Sequence, residues 1–184
     1  MVSIRNKLIL WVGEKHSGKT TSAANLAQTA RDEGFNVAGL LAPSLYHDGK
    51  LIGFDALDLG NEKRAPLARH QTNPGKAGPF AFVNDGLKLG NAALSAEATK
   101  SADLIIVDEF GPLELNGDGW RKNVDSLLAS SEAVILLVVR RELADEVRQL
   151  YADAPCRKLA ATDPNSIADG LAILKNHRSR RGIK

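Results

Sequence analysis

The chain contains very little cysteine, since Cys156 is the single one among its 184 residues. One thiol cannot form a disulfide within the chain, and it cannot supply the several ligands of a cysteine metal cluster. So little cysteine is typical of proteins from a reducing compartment. We therefore expect a cytoplasmic protein.

An excess of charge of one sign is also lacking. The 24 basic and 22 acidic residues leave a formal net charge of +2, which gives no general electrostatic basis for binding nucleic acid or a membrane. No apolar stretch is long enough to span a bilayer, so the sequence predicts no membrane association. The apolar run after Arg5 and Lys7 is five residues long, and we expect no signal peptide.

Length and composition are those of one globular domain, with 43% hydrophobic and 25% charged residues. We expect a single domain over residues 1–175, followed by a flexible, solvated tail over residues 176–184. Basic side chains give that tail its charge, namely Arg178, Arg180, Arg181 and Lys184. The alternative is that the tail binds an acidic partner.

Residues 13–20 read G-E-K-H-S-G-K-T and fit the pattern of a phosphate-binding loop, G-x-x-x-x-G-K-[S/T]. In such a loop, backbone N–H groups surround nucleotide phosphates, the lysine reaches the β- and γ-phosphates, and the hydroxyl contacts Mg²⁺. A nucleotide is therefore the predicted partner. The predicted binding residues are Gly13, Glu14, Lys15, His16, Ser17, Gly18, Lys19, Thr20 and Thr21.

The residues on either side of this loop support the motif. Residues 8–12 form an unbroken apolar run, which is typical of a strand buried on both faces. Apolar residues then recur at helical spacing from Ala23 to Ala30, and Gly34 follows as a helix-ending residue. This order of strand, loop and helix directs the positive end of the helix dipole at the phosphates.

The rest of the chain alternates between short apolar runs and helical patterns. Strands are predicted over residues 37–42, 104–108, 133–139 and 156–160, and helices over residues 85–101, 120–130, 143–151 and 166–176. Residues 49–69 alternate in part around a turn signal and predict a β-hairpin in which Pro66 marks an edge. Residues 80–83 predict a short strand, and residues 113–119 a loop.

These elements predict an α/β fold with three layers, α/β/α. The sheet is expected to be mostly parallel, with the hairpin as an antiparallel addition.

The predicted strand at residues 104–108 ends in Asp108, and Glu109 follows it. An acid at the end of such a strand can hold Mg²⁺ together with Thr20, so both are predicted metal ligands. A second carboxylate beside it can orient a water on the γ-phosphorus, which makes Glu109 the predicted catalytic residue for hydrolysis. The alternative is that Glu109 faces solvent or forms a structural ion pair.

Further charged side chains are candidates for the site. Lys19 and Arg140 are predicted to stabilise charge during phosphoryl transfer, with Arg140 favoured over Arg141 because it is nearer the strand end. The alternative for both arginines is a solvated helix start. Arg64 and Arg69 in the hairpin are expected to be ordinary edge-strand charges, although a lid over the nucleotide is the alternative. Glu114 is expected to shape the Gly111-Pro112 turn, and the alternative is that it orients an active-site arginine.

The string Asp108–Leu115, D-E-F-G-P-L-E-L, together with the loop at residues 13–20, resembles a family of small P-loop nucleoside-triphosphatases. The family includes the cancer-related nucleoside-triphosphatase of animals and relatives in thermophilic microbes. The resemblance covers residues 7–159 and includes G-F-D at 53–55 and P-L-A-R at 66–69.

The resemblance implies a RecA-like core that slowly hydrolyses several nucleoside triphosphates with Mg²⁺. It places the family's metal-holding acid on Asp108, its catalytic glutamate on Glu109, and its basic pair on Arg140 and Arg141. Family members often carry His-Arg at that pair, so the resemblance does not decide which arginine acts.

The sequence therefore predicts a Mg²⁺-dependent nucleoside-triphosphatase that hydrolyses the β–γ phosphoanhydride with a broad base preference. The string Asn-Lys-x-Asp, which would select guanine, does not occur. Two alternatives share the loop: a nucleotide or small-molecule kinase, and a nucleotide-binding adaptor for molybdenum-cofactor assembly. The sequence identifies no protein partner.

Overall fold

The structure, a computed structural model, describes residues 7–72, 78–180 and 182. Within these ranges the strands are β1 (Leu8–Gly13), β2 (Val37–Leu41), β3 (Ser44–His47), β4 (Lys50–Asp58), β5 (Arg64–His70), β6 (Phe80–Phe82), β7 (Leu104–Val107), β8 (Val134–Arg140) and β9 (Cys156–Ala160). The helices are α1 (Lys19–Asp32), α2 (Asn84–Ala93), α3 (Ala96–Thr99), α4 (Pro112–Leu115), α5 (Arg121–Ser130), α6 (Ala144–Leu150) and α7 (Ser166–Arg180), and a 3₁₀ turn covers Arg141–Leu143.

Parallel strands form the centre of the sheet, in the order β2-β7-β8-β1-β9. Every residue of β1, β2 and β7 is buried, as expected for apolar strands covered on both faces. The strand registers pair Gly13 with Arg140, and Val107 with Leu137. The carboxyl ends of β1, β7 and β8 therefore meet at one edge of the sheet, which is where ligands bind in α/β proteins.

Helices cover both faces of this sheet. On one face Ile9 and Trp11 of β1 pack in a core with Leu26 of α1 and Leu174 of α7. On the other face the core includes residues of α5 and α6. The predicted three-layer α/β arrangement is confirmed. In the part of the chain that the structure describes, no helix is both long enough and apolar enough to cross a membrane.

Antiparallel strands extend the sheet beyond β2. The predicted hairpin is present as β4 and β5, and it is joined by β6 on one side and by β3, which the sequence did not predict. The prediction that Pro66 marks a sheet edge is wrong, because β5 has β4 and β6 as neighbours. Pro66 is tolerated because, in the described residues, β6 pairs with Ala68–His70 and does not reach it.

Two other predicted segments differ from the structure. The helix predicted over residues 85–101 is divided into α2 and α3, because the Ser95 hydroxyl accepts a hydrogen bond from the Ala98 N–H at 3.2 Å and starts a new helix there. The loop predicted over residues 113–119 contains the short helix α4. The Glu114 carboxylate accepts hydrogen bonds from the N–H groups of Gly111 and Trp120 and holds this segment together, as predicted.

The flexible tail predicted from Asn176 is wrong for residues 176–180, because α7 continues to Arg180. Residues 181, 183 and 184 lie outside the described residues. His177 is buried, and its Nε2 donates to the carbonyl oxygen of Glu132 at 2.7 Å. A solvated tail was expected from the basic residues, but this part of α7 has a buried side to pack.

Arg178 fastens the end of α7 to the connection between α1 and β2. Its guanidinium carbon lies 3.7 Å from the centroid of the Phe35 ring, which is a cation–π contact. The same group donates to the carbonyl oxygen of Gly34 at 2.8 Å and pairs with Asp103 at 2.9 Å. The charge of this residue therefore serves packing within the fold.

We expect Arg178→Ala to lower the free energy of unfolding by about 1–2 kcal/mol, because it removes a stacked cation and its hydrogen bonds. Urea denaturation measures the change. Arg157→Ala on the exposed side of β9 is the matched control, and its effect should be within about 0.5 kcal/mol. Equal effects of the two substitutions would contradict a clamping role for Arg178.

Candidate active site

The predicted phosphate loop connects β1 to α1. Gly13 ends β1, and a Cβ atom on it would lie 2.7 Å from Ser17 Oγ, so a larger residue does not fit. His16 and Gly18 adopt left-handed backbone conformations, with φ of 60° and 81°. Glycine takes this conformation without strain, which allows the tight entry into α1 at Lys19.

The other predicted binding residues lie around this loop. Some are exposed to solvent, namely Glu14, Lys15, His16, Gly18 and Thr21. Others are partly buried, namely Ser17, Lys19 and Thr20. Among the described residues, no side chain caps the N-terminus of α1. The free N–H groups of its first turn and the positive end of its dipole suit an anion.

Lys19 lies in the first turn of α1, and its Nζ donates to the carbonyl oxygen of Glu14 at 2.6 Å. Partial burial lowers the pKa of Lys19, whereas the nearby carboxylates of Glu109 and Asp108 act to raise it. The Arg140 guanidinium also acts to lower this pKa. Lys19 is therefore surrounded by the acidic and basic residues that the sequence assigned to the site.

Asp108 follows β7 and is fully buried. Its Oδ2 accepts a hydrogen bond from the Ala42 N–H at 3.0 Å, and its Oδ1 accepts one from the Glu109 N–H at 2.8 Å. The Thr20 side chain lies close enough to the carboxylate to lower its pKa. Burial raises the pKa of Asp108, while these hydrogen bonds and Lys19 act against the rise. The Thr20 contact joins the end of β7 to the first turn of α1.

The oxygens of Asp108 and Thr20 are of the kind that Mg²⁺ prefers. No group of three or more His, Cys, Asp or Glu side chains that could enclose a metal occurs among residues 7–72, 78–180 and 182. Mg²⁺ that binds with a nucleotide does not need such a cage, because phosphates and water complete its coordination. The pair of residues therefore fits a metal that is held jointly with a nucleotide.

Glu109 is exposed to solvent and has a left-handed backbone with φ of 56°. This conformation is uncommon for a residue with a side chain and costs free energy. Neighbouring protein atoms reduce the hydration of the carboxylate, and this raises the pKa of Glu109. The negative charge of Asp108 raises it further, whereas Arg140 and Lys19 act to lower it. An accessible carboxylate with a raised pKa is a typical feature of a functional site.

The two arginines after β8 have different surroundings. Arg140 is the last residue of β8, is half-buried, and lies close enough to influence the pKa values of Lys19 and Glu109. Arg141 is exposed, and its Nε lies 2.9 Å from Oε1 of Glu14 in the phosphate loop. The structure therefore associates Arg140 with Glu109 and Lys19, and Arg141 with Glu14 of the loop.

Arg64 and Arg69 lie near or contact other groups of the hairpin itself. Arg69 pairs with Asp55 at 2.5 Å and donates to the carbonyl oxygen of Phe54 at 2.6 Å. Arg64 lies 4.0 Å from the same carboxylate. These contacts agree with the expectation that both residues are charges of the added strands.

Sequence reasoning missed two features of the site. The Ala42 N–H holds Asp108, but a backbone group carries no residue-type signal. The Glu14–Arg141 pair joins residues that are far apart in sequence, and their opposite charges are the one signal that could have indicated it. By contrast, the sequence-predicted group Lys19, Thr20, Asp108, Glu109 and Arg140 is brought together at one edge of the sheet.

A glycine-rich loop between a buried strand and a helix, faced by an acid at the end of another buried strand, defines the class of P-loop nucleoside triphosphatases. The sequence model of the NTPase family matches residues 8–166 of this chain. Nucleoside-triphosphatase THEP1 of Methanothermobacter thermautotrophicus is 34% identical over 137 residues, covering 73% of this chain and 78% of that protein. The protein of the same name from Methanopyrus kandleri is 32% identical over 151 residues, covering 80% and 81%.

The chain belongs to the NTPase family, and the predicted enzyme class is confirmed. Two solved structures also have the same fold. A human cancer-related nucleoside triphosphatase superposes with a TM-score of 0.70 at 20% identity, covering 94% of this chain and 98% of that one. THEP1 from Aquifex aeolicus gives 0.68 at 20% identity, covering 91% and 99%.

The backbone of Glu109 leads to a prediction about stability. We expect the free energy of unfolding of Glu109→Gly to be about 0.5–1 kcal/mol higher than that of Glu109→Ala, because glycine adopts the left-handed conformation without strain. The greater freedom of glycine in the unfolded chain offsets part of this gain. Both variants remove the same carboxylate, so the difference reports the backbone alone. Chemical denaturation of the two variants measures it, and equal values would contradict strain at this residue.

Proposed function

We propose that this chain hydrolyses the β–γ phosphoanhydride of nucleoside triphosphates with Mg²⁺ and with little preference for the base. The observation that carries the proposal is the arrangement around Asp108. Its buried carboxylate lies close enough to Thr20 of the phosphate loop for Thr20 to lower its pKa, and an accessible carboxylate, Glu109, follows it directly. This pairing joins a metal-binding position to a proton acceptor.

The phosphates bind in the loop at residues 13–20. Backbone N–H groups at the start of α1 donate to the phosphate oxygens, and the helix dipole favours their negative charge. Lys19 leaves the carbonyl oxygen of Glu14 and contacts the β- and γ-phosphates. These interactions recognise the phosphates and leave the base unread, which supports a broad base preference.

Thr20 and Asp108 would hold Mg²⁺ together with the nucleotide. The metal supplies charge neutralisation on the β- and γ-phosphate oxygens when it is bound. Asp108 retains its position because its carboxylate is fixed by hydrogen bonds from Ala42 and Glu109.

Glu109 orients the water that attacks the γ-phosphorus. The water oxygen forms a bond to phosphorus as the bond from phosphorus to the β–γ bridging oxygen breaks, and the products are a nucleoside diphosphate and inorganic phosphate. Glu109 accepts a proton from the water, and its raised pKa makes it a better acceptor than an ordinary glutamate. Arg140, half-buried beside it, stabilises the negative charge on the transferring group.

Turnover of Glu109→Gln tests the proposed base. We expect Mg²⁺-dependent hydrolysis of ATP, GTP, CTP and UTP by the wild-type chain, and a loss of about 10²–10⁴-fold in kcat in the variant, because an amide cannot accept the proton. Nucleotide binding should persist in Glu109→Gln and disappear in Lys19→Ala. Glu146→Gln on the exposed side of α6 is the control for charge removal. Normal turnover in Glu109→Gln would show that the base is assigned wrongly.

The two arginines can be separated by a second comparison. We expect Arg140→Ala to lower kcat by about 10²-fold or more, and Arg141→Ala to lower it less, because Arg140 is the one near Glu109. Arg148→Ala removes an exposed arginine of α6 and should leave kcat unchanged. A larger loss of kcat in Arg141→Ala than in Arg140→Ala would reverse the assignment.

A further inference from the structure

Glu14 contacts two cations of the site with two different groups. Its carbonyl oxygen accepts a hydrogen bond from Lys19 Nζ at 2.6 Å, and its Oε1 lies 2.9 Å from Arg141 Nε. Lys19 belongs to the phosphate loop, and Arg141 starts the 3₁₀ turn after β8. A residue of the loop thus provides oxygen atoms to both cations.

The ion pair between Glu14 and Arg141 is weak, so a stronger anion can replace Glu14 as the partner of Arg141. Their side chains are 61% and 63% exposed, so water and salt screen the attraction and the pair contributes little to stability. A phosphate group is a stronger partner for a guanidinium, because it can accept the same two parallel hydrogen bonds as a carboxylate and carries more negative charge. A triphosphate in the loop would therefore draw Arg141 away from the carboxylate.

We propose that Glu14 is a positioning residue that competes with the phosphates of the nucleotide for Arg141. Arg141 pairs with Glu14 of the loop in the free protein, and it pairs with the phosphates instead when a nucleoside triphosphate binds. The competition weakens nucleotide binding and so sets KM, while the chemical step at Glu109 is unaffected. This inference rests on the proposed function, because it requires a triphosphate in the loop.

Glu142 allows the competition to be distinguished from simple repulsion of the nucleotide by a negative charge. Glu142 follows Arg141 directly and is exposed, and its negative charge acts to raise the pKa of Lys19. Within the described residues, however, Glu142 forms no ion pair with Arg141, whereas Glu14 does. Removing either carboxylate lowers the negative charge near the loop, but only the removal of Glu14 releases Arg141.

Equilibrium binding of ATP with Mg²⁺, measured by calorimetry in a Glu109→Gln background, tests the proposal. We expect Glu14→Gln to lower Kd by about threefold to fivefold, as for the loss of one exposed ion pair, and Glu142→Gln to lower it by less than about twofold. When Arg141→Ala is added, the gain from Glu14→Gln should fall to that from Glu142→Gln. With Glu109 intact, Glu14→Gln should lower KM and leave kcat unchanged.

Equal gains from Glu14→Gln and Glu142→Gln in both backgrounds would overturn the proposal, because the effect would then be general repulsion. Weaker binding in Glu14→Gln would also overturn it, since Glu14 would then support the loop. If the wild-type chain binds ATP with Mg²⁺ but does not hydrolyse it, the proposed function fails, and the binding comparison still decides the role of Glu14.

Discussion

The hydrogen bonds of the buried Asp108 carboxylate are the constraint on which the rest of the site depends. A carboxylate without contact to water is costly unless its oxygens have partners, so the partners must be held in place. They are the Ala42 N–H after β2 and the Glu109 N–H, and the Thr20 side chain in α1 lies close enough to lower the pKa of the carboxylate. One side chain therefore links the phosphate loop to two neighbouring strands.

The sheet makes this convergence possible. Because β2, β7, β8 and β1 are parallel, their carboxyl ends lie at one edge, and loops from distant parts of the sequence meet there. The apolar cores on the two faces hold the strands rigidly, so polar groups at their ends keep fixed positions. Left-handed strain at Glu109 persists because the Asp108 contact and the buried Phe110 hold both sides of that residue.

Much of this arrangement could be predicted from residue patterns. Unbroken apolar runs identified the parallel strands, and the spacing of Gly13, Gly18, Lys19 and Thr20 identified the loop, because both depend on local sequence. The Thr20–Asp108 contact followed from the chemistry of a metal-holding pair. Roles for these residues in turnover remain predictions.

Other features depend on contacts that local sequence does not record. The exposed strand β3 has no apolar run, and it forms because β4 offers it an edge. The last part of α7 is rich in basic residues, which normally indicates solvent, but Arg178 finds the Phe35 ring and Asp103. The backbone conformation of Glu109 has no signature either, since it is imposed by its neighbours.

The position of β8 between β1 and β7 fixes how far apart these two strands lie. Neighbouring strands lie about 4.8 Å apart, so the strand that leads into the loop and the strand that leads into Asp108 are separated by roughly 10 Å. Were the two strands direct neighbours, half that separation would remain between them. The interposed strand thus holds the loop and the Asp108–Glu109 pair two strand spacings apart, and it ends in Arg140, which is paired in register with Gly13 of the loop.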